Sequence, residues 1–243
     1  MDRARIDDQP GYRRRIVIDA AEGVSRAMLE DDFHSMAVTL RHDGGKVLSI
    51  EPVMERAPWT TCPGAVAQLC LTFAGATLAE VNARREKRSN CTHLHDLAVL
   101  AAAHAKDRGT FVYDVLVSDP VKGRRRLELR QDGEVVFQWV EQDRLLVEPL
   151  DIAGLSLATL RDWIASLPEE KREAARVLQW AAMVGRGRAI MGEMTSRKVD
   201  RPADCYAAQP ERVEEARRIG EWIDFSSSDT RPLLSRLREK LSS

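Results

Sequence analysis

The apolar residues of this chain change their spacing along its length, and that change limits what it can fold into. From Tyr12 to Met54 they alternate with polar residues, as Ile16, Ile18, Met36, Val38 and Leu40 show. From Pro58 to about Lys106 they recur every three or four positions, and from Thr110 to about Val147 alternation returns. A period of two belongs to a sheet with one buried face, and a period near 3.6 to helices with an apolar stripe. A chain that uses both in blocks builds an antiparallel meander with helices packed on it, an α+β fold.

Strands are expected over Tyr12 to Asp19, Val24 to Glu30, Ser35 to Arg41 and Lys46 to Met54, with Asp43-Gly44-Gly45 as the turn between the last two. Pro63 suits the first position of a helix that stops near Gly75, which makes Cys62 the expected N-cap. A short helix over Thr77 to Glu86 and a longer one from Cys91 to about Lys106 follow, the second with Leu94, Leu97, Ala98 and Ala101 on one stripe. Thr110 to Val147 reads as three more strands, with a turn at Gln131-Asp132-Gly133. Beyond Pro149, helices are expected over Leu157 to Leu167, Glu169 to Met183, Pro210 to Ile223 and Pro232 to Leu241, with a loop from Arg197 to Asp204. The expected organisation is a core over 1–150, including the strands of 110–147, and a helical extension over 151–243 packed on it.

The charges balance, 37 Lys and Arg against 38 Asp and Glu, which gives no electrostatic ground for nucleic-acid binding. The clusters Arg84 to Arg88 and Arg124 to Arg126 are short and read as solvated faces. No apolar run is long enough to cross a bilayer and none resembles a signal segment, so a cytoplasmic protein is expected. Four cysteines in 243 residues are too sparse for a disulfide framework, leaving thiols or metal ligands. Gly185, Gly187 and Gly192 do not follow a strand, and neither a phosphate-binding loop, a dinucleotide fingerprint, a serine nucleophile elbow nor a CxxC pair is present.

Chemistry is therefore sought around Cys62 and Cys91, each at a helix start, where backbone N–H groups and the helix dipole favour thiolate. His95, at i+4 from Cys91, shares its face, whereas His93 lies well round the helix. Strand alternation places Glu30, Asp32 and His34 on one face. Asp32, Cys62 and Cys91 would supply three ligands and leave an open position, the pattern of catalytic zinc, with His95 or His34 handling protons. Arg56 and Trp59 would give a guanidinium and an aromatic wall for an anionic aromatic substrate. The plainer alternative is that the two cysteines are small buried residues packing helix starts. Cys70, on an apolar stripe, is assigned to the core.

Asp31-Asp32 before an alternating strand, Asp43-Gly44-Gly45-Lys46, Cys62-Pro63-Gly64-Ala65, Gly75-Ala76-Thr77-Leu78-Ala79-Glu80 and Cys91-Thr92-His93-Leu94 occur in an order that resembles the NifU/IscU-type iron–sulfur scaffold proteins over residues 30–105. That resemblance implies a metal or cluster site at Asp32, Cys62 and Cys91. The sequence departs from the pattern in placing Glu30 where the family has a further cysteine and Asn90 where it has a histidine. A soft-ligand cluster thereby loses a ligand, and a zinc site, or no metal at all, becomes the better expectation, with a zinc or iron ion as the cofactor sought. Through Arg56-Ala57-Pro58-Trp59, the two cysteine motifs, Cys205-Tyr206 and Gln209-Pro210, the chain is also similar to a bacterial family known only as a domain of unknown function, DUF2889, which names no reaction.

The sequence thus leads to an expected lyase or hydrolase that uses a metal ion or a thiol on a small organic substrate, aromatic ones included, with neither nucleic acid nor membrane as partner and self-association left open. The rival readings are a non-catalytic metal or iron–sulfur accessory protein and a metal-free interaction module.

Overall fold

In a computed structural model, residues 5–83, 86–188, 203–219, 222–227 and 233–242 are described. Arg84, Arg85, Gly192 and most of the loop expected from Arg197 lie outside the described residues. The described chain is α+β, with eight strands and seven α-helices. The strands are β1 (Gly11–Ala21), β2 (Val24–Asp31), β3 (Ser35–His42), β4 (Val47–Arg56), β5 (Gly109–Ser118), β6 (Arg124–Gln131), β7 (Glu134–Gln142) and β8 (Leu145–Glu148). The helices are α1 (Ala65–Phe73), α2 (Leu78–Ala83), α3 (Thr92–Ala103), α4 (Arg161–Ser166), α5 (Glu169–Gly185), α6 (Pro210–Val213) and α7 (Ser235–Ser242).

Packing divides the chain into two compact units, each drawn from separate stretches of sequence. One, the α3 unit, comprises residues 16–111, 194–222 and 234–243; the other, the α5 unit, comprises 1–15, 112–193 and 223–233.

In the α3 unit the strand order is β4-β3-β2-β1. β2 and β3 pair antiparallel from Val24↔Arg41 to Glu30↔Ser35, and β3 and β4 from Ser35↔Arg56 to His42↔Val47. The expected turn is present: Asp43 Oδ1 accepts the N–H groups of Gly45 and Lys46, and Gly44 has a φ of +93°. α3 packs on β2 and β3 through Leu94, Leu97, Ala98 and Ala101, all 0 % exposed, and α7 also contacts β3. Nearly every residue of β3 is buried, so this strand lies at the centre of the unit's core.

In the α5 unit the strand order is β5-β6-β7-β8, and α5 packs on β6 and β7 through Ala174, Val177, Leu178 and Ala181. The three strands expected here are four, because the chain reverses again at Asp143-Arg144. Both residues are left-handed, with φ of 50° and 73°, and no glycine marks the turn. The helix expected over Pro210 to Ile223 ends at Val213 for a tertiary reason. Thr60 N–H donates to the Arg217 carbonyl, Ile219 N–H to the Pro58 carbonyl, and Arg217 N–H to Thr60 Oγ1, so strand-like pairing takes the groups a helix would use.

A buried aspartate and two histidines in the α3 unit

The β2–β3 connection decides which acidic residue meets which histidine. Asp31 ends β2, and its N–H donates to the His34 carbonyl at 2.9 Å, which closes the reversal. Its Oδ1 accepts the N–H groups of Phe33 and His34, both at 2.8 Å, an aspartate-centred turn. The same carboxylate reaches the His34 ring, with Nδ1 3.0 Å from Oδ1. When Nδ1 donates in the neutral ring, the lone pair stays on Nε2. Alternation does not survive a reversal, so Asp31 and His34 face each other, and the set Glu30, Asp32 and His34 expected on one strand face does not form.

The second histidine comes from the first turn of α3. His93 stacks on His34, with ring centroids 3.8 Å apart and planes inclined by 29°. One donor atom from each of Asp31, His34 and His93 lies within 4.8 Å of the others, and all three residues are buried. Among the described residues no other group of three or more His, Cys, Asp or Glu converges in this way. Two imidazoles and a carboxylate form a borderline donor set suited to zinc or iron.

The other residues expected at the site have different surroundings. Asp32, Cys62 and Cys91 do not converge as a ligand set. Asp32 is 0 % exposed, and its carbonyl accepts Arg56. Cys62 is not an N-cap; it lies inside a 3-10 turn, Cys62–Gly64, whose cap position is Thr61. Cys91 is the N-cap of α3 as expected, but burial pushes its thiol up to about 11. The N–H groups of Leu94 and His93 pull the other way and are outweighed, and Cys205 and Asp96 add to the rise. The thiolate expected from the helix dipole is therefore not the resting state.

His95 is 3 % exposed, its ring 5.4 Å from that of Phe73, and neither ring nitrogen has a hydrogen-bond partner among the described residues. Burial, with Lys87 nearby, lowers its pKa to about 4, which favours the neutral ring. Arg56 is engaged by the β2–β3 turn. Its guanidinium donates to the carbonyls of Asp32 at 2.7 Å, Asp31 at 2.6 Å and His34 at 3.2 Å, and to Glu30 Oε1 at 3.3 Å. Trp59 is 6 % exposed and its backbone bridges Arg218, which removes it as an open aromatic wall. His34 keeps a place in the site, whereas Asp31 and His93 are the residues that strand and helix periodicity missed. The signal for Asp31 was the four-residue gap between two strands, opened by an aspartate. For His93 no sequence signal existed, since only packing aims α3 at the turn.

The fold and this group together define an α+β protein with a buried aspartate–bis-histidine cluster. Residues 14–106, under half of the chain, match the model of a family described as "Protein of unknown function (DUF2889)". The matched span holds all three clustered residues and ends before Cys205-Tyr206. No curated protein matches the chain.

Proposed function

We propose that this chain is a metal-dependent enzyme of the bacterial cytoplasm, of the lyase or hydrolase type, acting on a small organic substrate. Asp31, His34 and His93 would hold one zinc or iron ion, and the observation that carries the reading is the convergence of their three buried donors within 4.8 Å. Three protein ligands with a further position left for water or substrate is the pattern of catalytic metal sites. When bound, such an ion polarises a carbonyl oxygen or lowers the pKa of its water.

The chain's own residues prepare the site. Asp31 holds the His34 ring in place through Nδ1, a hydrogen bond that coordination of one ion by both residues would replace. Arg56 fixes the turn that carries both, and α3 presents His93 against the His34 ring. The donor set does not fit an iron–sulfur cluster, which wants convergent thiolates, and this weighs against the scaffold-like accessory role that the NifU/IscU resemblance suggests.

The test is elemental analysis of untagged protein together with thermal melts in chelator. About one equivalent of zinc or iron per chain is expected, lost in H93A and in D31N, which keeps an acceptor for the turn, and retained in C62S. Metal-free protein whose melting temperature responds neither to chelator nor to added zinc or ferrous iron overturns the reading.

A further inference from the structure

We propose that Cys91 and Cys205 are a redox pair that closes a reversible disulfide. The two residues lie 114 positions apart in sequence and side by side in the α3 unit. Tyr206 N–H donates to the Asn90 carbonyl at 2.9 Å, so the peptide following Cys205 is bonded to the peptide preceding Cys91. A hydrogen bond between those two peptides makes the two cysteines close neighbours, and a disulfide spans Cα atoms roughly 4.4–6.8 Å apart. Both residues have extended backbones, with φ and ψ of −61° and 120° at Cys91 and −149° and 168° at Cys205.

The contact is fixed from both sides. The Gln209 side-chain amide donates to the Cys205 carbonyl at 3.2 Å and to the Arg88 carbonyl at 2.8 Å, joining the same two stretches. Asn90 is 0 % exposed and donates to Thr72 Oγ1 and the Glu86 carbonyl, which holds the chain leading to Cys91. Little conformational freedom is left to lose on cross-linking, and this favours an intramolecular bond over one to another molecule.

The order of reaction follows from exposure. Cys205 is half-buried and Cys91 buried, so a peroxide meets Cys205 first. The Cys205 sulfur attacks one peroxide oxygen, the O–O bond breaks, and Cys205 becomes a sulfenic acid with release of one water. The Cys91 sulfur then attacks the Cys205 sulfur, the S–O bond breaks, and the hydroxyl leaves with the Cys91 proton as a second water. In sum, two thiols and one hydrogen peroxide give one disulfide and two waters. Oxidation would tie the 203–209 stretch covalently to the start of α3, two positions from His93.

The experiment treats full-length protein with stoichiometric hydrogen peroxide, counts thiols after unfolding, and maps peptides by mass spectrometry without reduction. Four thiols per chain before treatment and two after are expected, with one cross-linked peptide joining Cys91 to Cys205, reversed by dithiothreitol. C205S and C91S should each fail to lose a thiol pair, while C62S should behave as wild type. Retention of four thiols overturns the proposal. So does a link from Cys205 to Cys62, to Cys70 or to a second chain, or oxidation of Cys205 to sulfinic acid without a cross-link.

Discussion

Arg56 is a residue whose position looked functional and whose contacts are architectural. With a side chain 15 % exposed, it satisfies three backbone carbonyls of one chain reversal and pairs with Glu30, whose own side chain is 6 % exposed. Glu30 Oε2 in turn accepts the Leu234 N–H. Replacing Arg56 with methionine keeps much of its volume but takes the guanidinium donors from these carbonyls and the cationic partner from a buried carboxylate. Urea unfolding should show a loss of about 3–5 kcal/mol, and a loss under about 1 kcal/mol would mean that the turn holds itself. Here the sequence misleads at the scale of one residue. Strand alternation favours Asp32 over Asp31 only if it is carried past the point where the strand ends. The i+4 spacing from Cys91 favours His95 over His93 by marking a shared face, but that face is the core. What could be read was the neighbourhood, an acidic and histidine-bearing segment at a strand end and a histidine-bearing helix start. Which members met depended on packing.

At the scale of elements, periodicity and turn chemistry placed the first four strands, α3 with its cap, and α5, since those segments obey local rules. β8 escaped notice because its turn uses Asp143-Arg144 in left-handed conformations where glycine would have announced it. α6 stopped early because Pro58 and Thr60 offered its continuation a strand-like partner. The start of α1 carries a further constraint. A Cβ built on Gly64 would lie 2.5 Å from the Tyr206 hydroxyl, and the Tyr206 ring is itself covered by Arg212 at 3.8 Å. G64A should therefore displace Tyr206 and cost about 1–3 kcal/mol, as overpacking does. Hydrogen exchange would show the damage as faster exchange at the amides of Tyr206 and Ala208. Unchanged exchange there would show that the ring moves aside freely.

For the molecule as a whole, the α+β class is legible in the spacing of apolar residues, whereas the make-up of the two units is not, because each draws on stretches distant in the chain. The acid response belongs to this scale. In the α5 unit burial opposes ionisation of Asp224, yet Arg188 and Ser226 hold its carboxyl down at about 2, against an ordinary 3.8. Burial likewise opposes Glu141, which Arg125 and Arg186 keep below its usual range, and Arg130 lowers Asp7. A carboxylate whose folded pKa is depressed stabilises the fold above its unfolded pKa and loses that contribution as pH falls through the folded value. Stability should thus fall from about pH 4 towards pH 2, followed by the urea midpoint, and D224N should flatten part of the decline. A midpoint that rises on acidification would contradict these ion pairs.

The α3 unit is assembled from three separate lengths of chain, and this bears on what the matched segment 14–106 can be by itself. Trp59, the sole tryptophan in that span, is covered by a stretch more than a hundred residues downstream. A gene fragment cut at the family's limits should yield a polypeptide with red-shifted indole emission and a tendency to stick to itself. The heritable unit recognised by similarity is then smaller than the unit that folds, and whatever this protein does in a cell depends on sequence beyond its recognisable part.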